Sequence, residues 1–357
     1  MTTPQRVQLV DAGTLVDVSG HAVVLTYSSV AAEYEALRTR AIVVDRSHRA
    51  RMRITGQRAA EILTGLVTND VMALEVGHGH YAAALTPKGK IVADVRVFRD
   101  DDGLLVDTGA RAAEGWLGLV RKYVNPRLAA YSDESATMRD VGVFGPNARH
   151  VVAGITGASA AALGVLPPYG HATIAVDGAR VLAARVPDLG VEGFELFMPA
   201  DAFDALWRLA LDAGAEPAGL AAWEVARVEA GRPEWGLDID DTTIPQEANL
   251  DELHAISYTK GCYTGQEVVA RVHFRGHVNR HLRGLRAAGA EPPATGAQLV
   301  DDSGRPVGEV RTGVSSPRLG GIALAMVRRE IEGGTSLTAR WDGGESRADV
   351  SALPFPT

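Results

Sequence analysis

One segment concentrates the residue types and spacing from which chemistry is built: Lys260-Gly261-Cys262-Tyr263-Thr264-Gly265-Gln266-Glu267, followed by an apolar run and Arg271. Thr264 with Glu267 three residues later has the pattern of a capping box, so the spacing predicts a helix starting there. Such a helix directs its free N–H groups and the positive end of its dipole back toward Cys262. Lys260 adds a cation two residues away. Both effects favour the thiolate, the form of cysteine that acts as nucleophile and metal ligand. A buried cysteine ahead of an ordinary helix fits the same letters, because free cysteine is among the most buried residue types.

The stretch that follows, Arg271–Arg286, holds five arginines and three histidines with no acid, a local charge of about +5 in a chain whose net charge is −8. It suits a phosphate or an acidic partner, or simply a solvated face. His273, His277 and His281 stand four apart, which on a helix would make a metal-binding face. Gly276 and Gly284 interrupt that helix and no carboxylate completes the set, so no permanent metal is expected. With Phe274 the one aromatic among the arginines, direct nucleic-acid binding is not expected either.

Three look-alike motifs fail on context. Gly77–Ala82 has the letters of a dinucleotide fingerprint, but a strand follows where a helix must open. Gly89-Lys90 lacks the rest of a phosphate loop. Asp100–Gly103 is a hairpin turn with no ligand-spaced glutamate for calcium.

These residues need a scaffold, and the composition says which kind. The chain has 357 residues, 46% hydrophobic and 22% charged, values of a globular protein of two or three domains. A single cysteine excludes an intrachain disulfide and cannot by itself hold structural zinc or a whole iron–sulfur cluster. The N-terminal segment MTTPQRVQLVDAGTLVDVSG lacks the apolar core of a signal peptide. Apolar runs such as Ala160–Leu166 and Ile322–Val327 are too short to span a membrane. A cytoplasmic protein without membrane partners is the expectation.

Helices are predicted over Val30–Ala41 and Gly56–Leu66, from Trp116 to Tyr123, over Phe203–Leu211 and over Gly219–Ala230. Between them, Tyr81–Phe98 forms two strands around the turn Thr86-Pro87-Lys88-Gly89, and Leu104–Thr108 adds a third. Thr137–Gly145 reads as a strand entering a helix at Pro146. From about Leu282 the pattern changes to short alternating strands between Gly, Pro and Asp-rich turns, a small all-β module. The fold class is α+β with a C-terminal all-β barrel.

The segment KGCYTGQE (Lys260–Glu267) also resembles the signature of the YgfZ family, folate-binding proteins related to the aminomethyltransferase (T-protein) of the glycine cleavage system. Three other segments agree in order: Thr68–Phe98 with TNDV and TPKGKIVADVRVF, GVEGFELFMP (Gly190–Pro199), and Ala226–Asp251. The resemblance implies a T-protein-like, multi-lobed folate-binding region over residues 1–275. Its two lobes would be about 1–55 with 137–275, and 56–136, followed by a barrel domain over 276–357. It implies tetrahydrofolate, or a one-carbon-substituted folate, as cofactor.

By the same likeness, Glu195 maps onto the glutamate that reads the pteridine edge, where a carboxylate can accept two N–H bonds. A solvent-facing strand residue is the plain alternative. Arg227 maps onto an arginine suited to the glutamyl tail of folate, or pairs with Glu224 on its own helix. Asp94 matches the aspartate beside the folate nitrogens, and Asn69 a residue of the same half. Ala93 stands where the transferase commonly has a second acid, which points away from transfer chemistry.

The resemblance thus implies a folate-dependent accessory protein for iron–sulfur cluster assembly or repair, serving iron–sulfur enzymes that include tRNA-thiolating ones. Cys262, with Lys260 and Asp94, would be the reacting group in transient contact with clients or cluster-assembly proteins, and catalytic turnover stays open. The alternatives are an aminomethyltransferase acting on a lipoyl carrier protein, and a non-catalytic folate sensor or adaptor.

Overall fold

Period-two alternation along two strands determines which side chains face each other across the molecule. In the computed structural model, which describes residues 13–356, Phe194, Leu196 and Met198 of strand Gly193–Pro199 enter one core, and Glu195 and Phe197 face the opposite way. Strand Ile91–Asp100 divides likewise: Ala93, Val95 and Val97 enter an apolar cluster, while Asp94, Arg96 and Phe98 point to its other face.

The first strand belongs to a six-stranded sheet ordered His171–Val176, Ala179–Arg185, Gly193–Pro199, Met138–Phe144, Ile42–Asp45 and Glu216–Pro217. All its pairs are antiparallel except the last. The second belongs to a five-stranded antiparallel sheet ordered His78–Leu85, Ile91–Asp100, Gly103–Thr108, Ala50–Thr55 and Ala130–Asp133. This sheet contains the meander of residues 78–108. It also claims Ala50–Thr55, so the division between the sheets falls before Ala50 rather than near residue 55.

The sheets meet over a shared core in which Tyr81, Phe98 and Leu105 oppose Ile42, Phe144 and Leu182. Helices Ala148–Thr156 and Phe203–Asp212 cover the outer face of the larger sheet, and Ala59–Thr64 and Ala113–Tyr123 that of the smaller one. Helix Leu220–Glu229 is buried along most of its circumference. It gives Trp223 and Ala226 to the shared core and Val228 to a contact with Leu282, Ile322 and Phe355 of the C-terminal module. That module is a closed six-stranded barrel ordered Arg280–Ala287, Gly320–Arg328, Pro306–Ser316, Gln298–Val300, Ser336–Trp341 and Gly344–Ser351. Closure leaves no free sheet edge to protect. The fold is therefore a mixed α/β body with an appended barrel.

Two expectations are corrected. The helix after the cysteine runs Gln266–Arg275, and its N-cap is Gly265 in the left-handed region at φ +84°, with no side-chain cap bond. The Thr264–Glu267 capping box therefore does not form. That helix ends at Arg275, and His281 lies on strand Arg280–Ala287, so His273, His277 and His281 share no helical face. Among the described residues no group of His, Cys, Asp and Glu is placed to hold a metal ion, and no helix is long and apolar enough to cross a membrane. The first residues of the N-terminal segment, 1–12, lie outside the described residues.

Gly265 has a second constraint besides its φ. A Cβ there would stand 2.6 Å from the Thr86 carbonyl oxygen and 3.1 Å from the Gly89 Cα, so the KGCYTGQE segment seats directly on the TPKG hairpin turn. Gly265→Ala is expected to lower the unfolding free energy by about 2–3 kcal/mol through strain and clash. Urea titration checks this, and an unchanged midpoint would contradict the packing.

Candidate active site

The inter-sheet layer is apolar at one end and ionic at the other. Arg96, placed on that face by strand alternation, reaches three carboxylates: Asp107 at 2.5 Å, Asp188 at 3.1 Å, and Glu195 in a very short contact. Arg49 also holds Asp107, at 2.7 Å. Burial alone would raise the Asp107 pKa, but Arg49 and Arg96 outweigh it and keep this carboxyl below the usual range. Asp188 is shared in turn with Arg232 at 2.9 Å. The hydroxyl of Tyr169 is a further partner of Arg232.

This network walls a cleft whose lining includes Tyr81, Asp94, Trp223, Arg227 and Arg232. Asp94 is 8% exposed, buried rather than on an exposed hairpin face. Tyr81, its near neighbour across the strand pair, donates its hydroxyl to Asp94 Oδ2 at 3.0 Å, and Oδ1 is buried without a partner. Burial raises the Asp94 pKa, opposed by Arg49 and by the Tyr81 donation and reinforced by Glu234. A desolvated carboxyl in the wall of a cleft, with one oxygen unpaired, can hold or move a proton.

The arginine of the closing helix is already engaged. Arg227 is 1% exposed and pairs with Asp238 at 2.6 Å and Glu224 at 2.8 Å. It lines the cleft with its guanidinium committed, and the Glu224 pair expected within the helix is present. Glu195 is fully buried and does not line the cleft; Arg96 and, at 3.7 Å, Arg46 lie against it. It is neither solvent-facing nor open to a ligand in this geometry. Asn69 donates to the carbonyls of Tyr81 and His254 at 3.0 and 2.9 Å, clasping two chain segments together.

The signature segment lies apart from this cleft. Cys262 is exposed and absent from its lining. Lys260 turns into the protein: its ammonium donates to the carbonyls of Thr64, Val67 and Asn69 and sits 4.5 Å from the centroid of the Tyr263 ring. Burial lowers its pKa to about 8. The cation expected to activate the thiolate is therefore a clamp on backbone carbonyls. Gly261 and Glu267 are exposed and Gln266 is half-buried. Lys260→Met, which strands three carbonyls, is expected to cost about 2–4 kcal/mol of stability. Alkylation of the Cys262 thiol should proceed at nearly the wild-type rate, and a large rate loss would restore the activating role.

Tyr81, Arg96, Asp188, Trp223 and Arg232 were not singled out from the sequence. The alternation A-D-V-R-V of residues 93–97 could have placed Arg96 beside Asp94. The Asp188–Arg232 pair, 44 residues apart, had no such signal.

Two facing sheets with a charged cleft between them, closed by a buried helix that carries a barrel, define the class of fold. Residues 7–257 match the GCVT N-terminal domain and residues 280–356 the glycine cleavage T-protein C-terminal barrel domain. The chain belongs to the glycine cleavage T-protein family. An aminomethyltransferase of Rubrobacter xylanophilus is 34% identical over 96% of this chain and 90% of its own. One of Saccharopolyspora erythraea is 32% identical over 99% of both. The crystal structure of the glycine cleavage system aminomethyltransferase T from Bartonella henselae covers 97% of this chain and 94% of its own, with a TM-score of 0.87 at 24% identity, a likeness of fold.

These relatives overturn the main functional expectation. Near-full-length proteins at 32–34% identity are aminomethyltransferases, not accessory proteins of iron–sulfur cluster assembly or repair. The alternative reading is the one they favour.

Proposed function

We propose that this protein is a tetrahydrofolate-dependent aminomethyltransferase. The observation that carries the reading is Asp94: a carboxyl in the cleft wall, buried, with a raised pKa, one oxygen fastened by Tyr81 and the other buried without a partner. The family and its aminomethyltransferase relatives supply the reaction class. KGCYTGQE keeps its narrower likeness to the YgfZ branch, and the part it plays here is to seat the hairpin turn that precedes the Asp94 strand.

The donor set fits a folate. Asp94 offers a free acceptor to ring N–H groups, and Trp223 and Tyr81 offer flat faces for a heterocycle. Those faces carry guanidiniums: Arg46 lies 3.7 Å from the Trp223 centroid and Arg232 5.0 Å from that of Tyr81. The cavity left is about 40 Å³, room for water rather than for a heterocycle. Ligand entry therefore requires Arg46 or Arg232 to swing off its ring; Arg46, whose Nε and Nη1 have no hydrogen-bond partner, could then turn to a carboxylate, whereas Arg232 is held by Asp188. Bound tetrahydrofolate would supply the nitrogen acceptor for the one-carbon unit. Asp94 would orient that nitrogen and manage its proton, and Tyr81 would hold Asp94 in place.

The test is an assay with tetrahydrofolate and an aminomethyl-loaded lipoyl carrier protein. Release of ammonia at an enzyme-like rate is expected. Saturable folate binding without ammonia above the protein-free rate would reject the transferase and leave a folate sensor or adaptor.

A further inference from the structure

Helix Gln266–Arg275 carries a basic outer face that takes no part in the cleft. Three and seven residues beyond Val268, Arg271 and Arg275 fall on the Val268 side of the helix, with Phe274 next to Arg271 around it. Val268 packs on the hairpin turn, since a Cβ on Gly89 would stand 2.7 Å from the Val268 Cβ. Lys88, beside Gly89 in that turn, therefore borders the same side. Arg271, Arg275 and Lys88 are all exposed. Among the described residues none of the three makes an ion pair or a hydrogen bond through its side chain. Arg271 and Arg275 are like charges one turn apart, a spacing that costs stability until an anion offsets it.

A large apolar side chain stands beside these cations. Phe274 is 67% exposed, with its ring edge-on to His273 and to Tyr258, at centroid distances of 4.7 and 6.1 Å. His273 stacks on Tyr258 at 3.6 Å, and Tyr258 donates its hydroxyl to Asp251 at 2.5 Å. The phenyl ring is thus presented to solvent on a fixed platform. An aromatic ring flanked by arginines is the composition of an interface anchor, and rigid support reduces the ordering cost of binding. Glu267, exposed in the first turn of the helix, is the acid nearest Arg271 along it and does not pair with it. The patch is small and belongs to a chain of net charge −8, which repels an extended polyanion such as RNA. A short acidic segment meets the cations without that repulsion.

We propose that this face docks an acidic segment of a partner protein, with carboxylates on Arg271, Arg275 and Lys88 and one apolar side chain against Phe274. The inference does not depend on the reading of the Asp94 cleft.

Fluorescence anisotropy of a labelled peptide, glutamates around a central leucine, titrated with the full chain tests it. Saturable binding is expected, weakened about fivefold or more when salt rises from about 50 to about 300 mM, and lost when glutamine replaces the glutamates. Arg271→Gln combined with Arg275→Gln, and Phe274→Ser by itself, should each weaken binding about tenfold, a difference of about 1.4 kcal/mol. These positions are exposed, so the melting temperature should stay near wild type. No saturation to about 0.5 mM protein, unchanged affinity in Phe274→Ser, or tighter binding of single-stranded RNA of the same charge would each overturn the proposal. A dimer in sedimentation that the double variant splits would overturn it too, because a second copy of the chain would then occupy the face.

Discussion

Asp94→Asn is expected to lower kcat for aminomethyl transfer by about 10²- to 10³-fold, the range for loss of a positioned acid–base group. Asparagine keeps the shape and one carbonyl acceptor, so the tetrahydrofolate Kd should move far less than kcat. Tyr81→Phe gives the sharper reading. Tyr81 donates to the Asp94 carboxylate at 3.0 Å and thereby lowers a pKa that burial raises. Removing the hydroxyl raises that pKa further, so the ionised form is lost at a higher pH on acidification. The acid limb of the kcat/KM profile should accordingly shift to higher pH in Tyr81→Phe. A limb that stays put, or moves down, would remove Asp94 from the reaction. An Asp94→Asn variant with wild-type kcat would do the same.

The second large effect is on stability. Arg96→Met is expected to lower the unfolding free energy by about 3–5 kcal/mol, the cost of leaving buried charge uncompensated. Asp107 keeps Arg49 and Asp188 keeps Arg232, but Glu195 is left with Arg46 at 3.7 Å. Glu195 therefore bears most of the loss. Combining Arg96→Met with Glu195→Gln should recover part of it, a coupling that a double-mutant cycle in urea measures. A loss under about 1 kcal/mol for the single variant, or full additivity in the double, would show that the network is not held by Arg96.

Local signals were legible in the chain because they depend on near neighbours. Proline and glycine at Thr86–Gly89 define the hairpin turn, and the Gly89 amide indeed returns to the Thr86 carbonyl at 2.9 Å. Alternation of apolar and polar residues defined the meander and the C-terminal strands, and three quoted segments besides KGCYTGQE carried the resemblance to the wider T-protein family. The narrower functional reading rested on the likeness of KGCYTGQE to the YgfZ signature, which the aminomethyltransferase relatives overturned, and its chemical part treated Lys260 and Cys262 as one unit on the strength of their spacing. Two residues along the chain says nothing of where a four-carbon side chain ends; here it ends on three carbonyls nearly 200 residues upstream.

The helix start shows the same limit. Thr264 and Glu267 have the letters of a cap, but Gly265 adopts φ +84° to seat against Thr86 and Gly89, so the N-cap falls on Gly265 and Thr264 stays outside the helix, while Glu267 lies in its first turn. Sheet stacking likewise decided what no local pattern contains. Strand alternation alone puts Asp94 and Arg96 on one face. Only the opposing sheet and the segments around it bring Glu195, Asp188 and Arg232 into the same layer, where desolvation gives each ion pair its strength and each unpaired atom its cost. The sequence by itself therefore determined most of the elements, the barrel and the wider T-protein relationship, but not the branch within it. The tertiary structure alone decided which charges are partnered, which oxygen of Asp94 stays free, and that the lone cysteine stands outside the cleft, because these depend on contacts between distant segments.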